Sequence, residues 1–276
     1  MTVTASVEEF DSLAPCLVPG RWTHLGVTVE HSDDEAELRV LRSESGLSVW
    51  HNLTPDDLSE ALVGDVTEQV AQSGLGQSEF ESVMVGLVLS TMDDPVQAWT
   101  TYYRNSLDEL LDGTADFAPI HAKAEELIRG SVVDLGSCFG FFPLRLATHG
   151  RDVTATDIHS GTIRLLDAVL PHLGLTMNTL VCDGGDVPVP DGSSDTVTAL
   201  HLLEHVDAEL GDRIVQEALR VARDRVVIAV PFEDQAQACH GHVRTFDLES
   251  LAAVGARSGH PFEVFEHHGG WLVIEV

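Results

Sequence analysis

Val132-Val133-Asp134-Leu135-Gly136-Ser137-Cys138-Phe139-Gly140 is the stretch whose reading decides the fold. It opens with a short apolar run of the kind that fills a strand buried on both faces. Gly136 and Gly140 then break the run and let the backbone come close to a ligand where a Cβ would collide. Ligands of open α/β sheets bind at the carboxyl ends of such strands, so a site is expected at this turn. A dinucleotide fingerprint requires G-x-G-x-x-G, whereas Cys138 stands where the second glycine belongs, and a nicotinamide cofactor is disfavoured.

Downstream of this stretch, strand and helix patterns alternate. The strands read from the sequence cover 132–135, 152–156, 178–182, 196–200 and 225–230, with helical segments between most of them. This alternation predicts an α/β fold with a mainly parallel sheet covered on both faces. The chain closes with 262–267, Gly269-Gly270 and 271–276, the pattern of an antiparallel hairpin at one side of that sheet.

Upstream, two β-like runs, 22–30 and 36–49, flank the polar cluster His31-Ser32-Asp33-Asp34 and predict a hairpin. From Thr54 the pattern turns helical: Thr54 suits a cap, Pro55 suits the first helical position, and Leu58, Leu62 and Val63 recur at helical spacing. Further helices are expected at 78–91 and 95–111, with breaks at Gly74-Leu75-Gly76 and Asp93-Asp94, and a short one around 121–128. The expected organisation is a β-rich segment over 1–53, a helical extension over 54–125 and an α/β domain over 126–276.

With 276 residues, 43% of them hydrophobic, the chain can bury a full core. Its formal charge of -30 makes nucleic acid and anionic membrane surfaces poor partners, because phosphate binding needs Lys and Arg. A neutral small molecule suits it better. No basic start leads into a long apolar run, and nothing approaches the roughly 20 apolar residues that span a bilayer. A soluble, cytoplasmic protein is expected. Cys16, Cys138, Cys182 and Cys239 form no CxxC pair and read as reduced thiols.

The opening stretch resembles motif I of class I S-adenosylmethionine (SAM)-dependent methyltransferases, an acidic residue followed by three glycines at alternate positions. Here these are Asp134, Gly136, position 138 and Gly140, with Cys138 replacing the middle glycine. Further matches follow in order. Asp157 ends the second strand in Thr154-Ala155-Thr156-Asp157-Ile158, where the resemblance implies a carboxylate bonding both ribose hydroxyls. Asp183, with Gly184, follows the third strand, where the family bonds the adenine amino group. Pro190-Asp191-Gly192-Ser193-Ser194-Asp195 and His201-Leu202-Leu203-Glu204-His205-Val206 flank the fourth and look like the family's Pro-acidic turn and Leu-Glu-His segment. The resemblance covers 126–276 and implies SAM as cofactor, held by Asp134, Gly136, Gly140, Asp157, Asp183 and Gly184. Related enzymes lay an N-terminal helix across the SAM pocket, which adds Tyr103 of Tyr102-Tyr103-Arg104; Trp99, on the same helix, is read as core packing.

Methyl transfer from a sulfonium is an in-line displacement, for which holding donor and acceptor together supplies roughly 7 to 11 kcal/mol of the barrier. An oxygen acceptor must also lose a proton, so a base or a metal near the methyl is useful. His201, Glu204 and His205 follow the fourth strand, and His240 and His242 follow the fifth and its Pro231-Phe232-Glu233 turn, crowding imidazoles at one rim. His205 or His242 is the candidate base, with Glu204 orienting a histidine. In ubiquinone-pathway O-methyltransferases and small-RNA terminal methyltransferases, a Glu-x-x-Glu-His segment plus a later histidine binds a divalent metal. Glu204 and His205 match it and His201 replaces the first Glu, so the resemblance implies His201, Glu204 and His205 as metal ligands. Leu-Glu-His also occurs in methyltransferases that hold no metal, and both readings stay open.

The segment Gly241-His242-Val243-Arg244-Thr245-Phe246-Asp247 is similar to the mycofactocin oligosaccharide methyltransferases, which implies a glucose hydroxyl of a glycan as acceptor. Two other readings stand beside it. Phe139, Phe141 and Phe142 suit an O- or C-methyltransferase of a quinone or polyketide phenol. The substituted Cys138 suits a catalytically silent SAM-fold binding protein.

Overall fold

The structure is a computed structural model that describes residues 12–32, 38–44, 46–71, 76–237 and 240–276. The expected turn at Asp33-Asp34, the break at Gly74-Leu75 and Cys239 lie outside these residues.

A seven-stranded sheet forms the centre of the C-terminal part. Val132–Leu135 makes strand β5, buried at all four positions. It is flanked by β6 (Val153–Asp157) and β7 (Asn178–Val181) on one side, and by β8 (Ser194–Leu200) and β9 (Ala222–Val230) on the other. These five run parallel. β10 (Phe262–Glu266) and β11 (Gly270–Glu275) complete the order β10-β11-β9-β8-β5-β6-β7. The last strand is inserted antiparallel between β9 and β10, so it is internal to the sheet rather than hung on its edge. Its first five residues are all buried, as an internal position demands.

Alternation along the strands sorts side chains to two faces. Val226, Ile228 and Val230 join one core with α7 (Ala208–Val221) and α8 (Leu248–Ser258). Val227 and Ala229 join the opposite one with α4 (Ala118–Leu127) and α5 (Phe141–Thr148). Chain order reverses direction at β5, whose neighbours are β6 and β8. The crevice beyond the carboxyl ends of β5 and β8 is therefore the switch point at which such sheets bind ligands.

The N-terminal part holds more than one hairpin. Both β-like runs fold back on themselves, giving β1 (Arg21–His24), β2 (Val27–His31), β3 (Arg39–Ser43) and β4 (Gly46–His51) in the order β1-β2-β4-β3. The central pair, β2 and β4, is parallel. The first reversal is a two-residue turn with φ of 43° at Leu25 and 81° at Gly26, both left-handed, which matches the twist of a tight hairpin.

Three helices follow, α1 (Ala61–Ala71), α2 (Gln77–Thr91) and α3 (Pro95–Asp112). α3 starts where Asp94 Oδ1 accepts the amides of Val96 (2.9 Å) and Gln97 (3.1 Å), with Pro95 in the first turn, and stops at Gly113 with φ 89°. One apolar cluster runs from Val29 and Val49 through Leu87, Trp99 and Tyr102 to Leu144, Leu165 and Leu166, the last two on α6 (Ser160–Leu173). The N-terminal elements thus share a core with the α5–α6 layer, and α3 lies against both of those helices. Trp99 stacks on Phe139 at 5.9 Å and its Nε1 donates to the Ser12 carbonyl at 2.7 Å, which is a packing role.

Candidate active site

The turn after β5 is shaped by glycines with no room for a side chain. Gly136 has φ 65° and Gly140 φ 78°. A Cβ on Gly136 would stand 2.6 Å from Leu202 Cδ1, and one on Gly140 2.7 Å from Leu166 Cδ2. Between them Cys138 takes the same left-handed conformation, with φ 51°, at a cost of about 1–2 kcal/mol for an L residue. The turn keeps its shape and the substituted residue carries the strain. Cys138 is exposed, and desolvation pushes its thiol up to about 12, with Asp157 and Glu60 adding to the shift.

Asp134 is 3% exposed and accepts a 2.5 Å hydrogen bond from Thr198 Oγ1 of β8. Burial pushes its carboxyl up to about 6 against that bond. Asp157, buried at the tip of β6, accepts the Cys138 amide on Oδ2 (2.9 Å) and the His159 amide on Oδ1 (2.8 Å). Each oxygen keeps a further lone pair for a ligand hydroxyl. Asp157 is in register with Val181 of β7, so Asp183 stands at the neighbouring strand end, exposed, with Oδ1 accepting the Gly185 amide at 2.8 Å. Gly184 is different: a Cβ there would meet Ile214 Cγ1 at 3.6 Å, an ordinary contact, and nothing in the backbone requires glycine. Ile158, 61% exposed directly after Asp157, is a site feature the sequence reading passed over. An apolar residue straight after a strand-end carboxylate was the available signal.

Tyr103 is fully buried, its ring 5.1 Å from that of Phe141 and 6.2 Å from that of Phe139, and its hydroxyl has no partner among the described residues. It supports the turn from beneath rather than lying open to the cleft. Phe141 and Phe142 are buried in the cores on this face, while Phe139, half-buried, stacks on Trp99.

The histidine-rich rim is built on a 3-10 turn, Leu203–His205, which follows β8. Glu204 is 1% exposed and neither carboxylate oxygen has a hydrogen-bond partner among the described residues. His201 Nδ1 is 3.3 Å from its Oε1 but off hydrogen-bond geometry. The loop after β9 docks on this turn through its main chain: the Val243 amide donates to the Glu204 carbonyl at 2.8 Å, and Arg244 Nε donates to the Leu203 carbonyl at 2.8 Å. That docking brings the His242 ring to 4.8 Å from the His205 ring, edge to face. His242 Nδ1 is 2.8 Å from Glu233 Oε2, a partner that the sequence reading named only as part of a turn. Burial holds the His205 imidazole below its ordinary value, against the pull of Glu204. His240, 5.9 Å from His242, is lowered by burial and then by His242.

Ligand atoms of Glu204, His205 and His242 all lie within 4.8 Å of one another. The converging set therefore contains His242, whereas the expected triad had His201. His201 instead sits in the left-handed region, with φ 53°, and rests its ring on Phe117 at 5.1 Å.

The family model described as a methyltransferase domain matches residues 133–230, the span from β5 to the end of β9. No curated protein matches the sequence. Among solved structures the chain is similar to a SAM-dependent methyltransferase from Aquifex aeolicus, with 15% identity, 62% of this chain and 97% of that chain covered, and a TM-score of 0.48. It is also similar to a SAM-dependent methyltransferase from Methanosarcina mazei (19% identity, 55% and 95% covered, TM-score 0.47). A third is a putative SAM-dependent methyltransferase from Methanococcus maripaludis (15%, 62% and 92%, TM-score 0.48). Residues 133–230 thus carry a methyltransferase domain, whose strand-end carboxylates border the switch-point crevice. No helix among the described residues is long and apolar enough to cross a membrane.

Proposed function

We propose that this enzyme methylates a hydroxyl group of a neutral small molecule or glycan, a glucose of the mycofactocin oligosaccharide being the acceptor favoured by the 241–247 segment. The observation that carries the reading is the convergence of Glu204, His205 and His242 beside the switch-point crevice. The cleft suits SAM: Asp157, at the tip of β6 beside the glycine turn, has lone pairs free for two ribose hydroxyls. Asp183 is an acceptor for an adenine amino group, and the exposed Ile158 between the two carboxylates offers an apolar face to the ring.

When bound, SAM supplies a methyl on a sulfonium leaving group. Burial favours the neutral form of the His205 imidazole, which can act as a base. His242, held by Glu233, braces His205 from behind. His205 would take the proton of the acceptor hydroxyl as that oxygen receives the methyl, the sulfonium departing as the neutral sulfide of S-adenosylhomocysteine.

One observation favours a second form of this chemistry. A buried carboxylate with no donor on either oxygen is costly by several kcal/mol, and a divalent cation held by Glu204, His205 and His242 offsets that cost. Held by these three side chains, such an ion would act as a Lewis acid toward the acceptor hydroxyl. The test is transfer of labelled methyl from SAM to glucose-containing oligosaccharides and to a panel of phenols, with and without EDTA. O-methylated glycan lost in His205→Ala supports the base reading, and product lost with EDTA moves the proton step to the metal. Methylation at carbon of a phenol contradicts O-methylation.

A further inference from the structure

The N-terminal elements deliver a carboxylate to the cofactor cleft. Leu58, Ser59 and Glu60 lead into α1 and are clamped by α3. Asn105 Nδ2 donates to the carbonyls of Pro55 (3.0 Å) and Leu58 (2.9 Å), and the Glu60 amide donates to Ser106 Oγ at 3.0 Å. Ser106 Oγ in turn donates to the Tyr102 carbonyl at 2.7 Å, one residue before Tyr103. Two successive residues of α3 thus fix the position of Glu60.

Tyr103, next to the Tyr102 carbonyl, packs its ring 5.1 Å from Phe141 and 6.2 Å from Phe139, so the clamp sets Glu60 close to the turn after β5. The Glu60 charge acts on the Tyr102 and Tyr103 hydroxyls and on the Cys138 thiol. Cys138 also bonds Asp157 through its amide, so it lies between the ribose-binding carboxylate and Glu60. Glu60 is half-buried, and burial followed by repulsion from Glu109 raises its carboxyl to about 7. Its surroundings are tyrosines and other acids. An acid whose main chain is clamped among such neighbours suits a cationic ligand group rather than a structural ion pair.

A nucleoside anchored by Asp157 and Asp183 at the tips of β6 and β7 would direct its 5′ substituent toward the turn after β5, where Cys138 and Glu60 lie. The amino-acid end of SAM, which carries an ammonium group, then approaches Glu60. We propose that Glu60 is a cofactor-binding residue, supplied by the N-terminal elements, whose carboxylate takes the ammonium group of SAM. This rests on the cofactor reading above.

The test is calorimetric titration of wild type and Glu60→Gln with two ligands. S-adenosylhomocysteine carries the amino-acid end, and 5′-methylthioadenosine is the same thioether nucleoside without it. Glu60→Gln is expected to weaken S-adenosylhomocysteine roughly tenfold or more, as loss of a charge-assisted hydrogen bond does, and to leave 5′-methylthioadenosine within about twofold. Retained 5′-methylthioadenosine binding also shows that the variant is folded. Unchanged S-adenosylhomocysteine affinity, or equal weakening of both ligands, overturns the proposal. Binding of neither ligand to wild type overturns the cofactor reading itself.

Discussion

The main-chain amide of Cys138 donates a 2.9 Å hydrogen bond to Oδ2 of Asp157, tying the turn after β5 to the carboxylate that ends β6. The amide belongs to a residue whose backbone is itself left-handed, with φ 51°. Cofactor cleft and strained cysteine are therefore one arrangement.

Cys138→Gly is expected to keep that amide in place while removing the strain. Glycine entropy offsets part of the 1–2 kcal/mol relief, so a net gain of up to about 1 kcal/mol is predicted in urea unfolding. Gly136→Ala should move the other way, by about 2 kcal/mol or more, since its Cβ would meet Leu202 Cδ1 at 2.6 Å in a left-handed backbone. A loss in both variants contradicts this account of the turn.

Asp134 makes stability depend on pH in a direction opposite to an ion-paired acid. Its folded carboxyl is raised to about 6 by burial, above the ordinary value, so the folded state holds the proton more tightly than the unfolded chain. The contribution is fully present below the unfolded value and is lost as pH rises through about 6, a change of about 3 kcal/mol. Asp134→Asn removes it. The stability of the variant relative to wild type is expected to rise from pH 4 to pH 8, and a flat difference across that range would sink the assignment.

Glu204→Gln replaces a buried, undonated carboxylate by a neutral group of the same shape. The metal-free variant is predicted to be as stable as wild type or more stable, by about 1–3 kcal/mol. A rise in wild-type melting temperature with an added divalent ion, absent in Glu204→Gln, would place the ion on this carboxylate. If no divalent ion shifts wild type, proton transfer falls to His205 alone.

How much of this was legible in the sequence depends on whether the signal was local. β5 could be read because four successive buried positions and a glycine turn leave one interpretation. Asp157 and Asp183 could be placed because apolar runs mark where strands end. The reversal at Leu25-Gly26 could not, since an exposed leucine at φ 43° gives no turn signature. His242 in place of His201 was equally hidden: it depends on main-chain and side-chain bonds between the 243–244 and 203–204 segments, with Arg244 and Leu203 41 residues apart. The shared core between the N-terminal elements and α5–α6 is another long-range outcome that periodicity does not carry.

The most direct test of the central claim is calorimetric titration of S-adenosylhomocysteine into wild type and Asp157→Ala, each first shown to unfold cooperatively. Two ribose hydroxyls bonded to one carboxylate predict saturable binding to wild type and a loss of at least about a hundredfold in the variant. No binding to wild type at millimolar ligand, or equal affinity in the two proteins, would contradict the account.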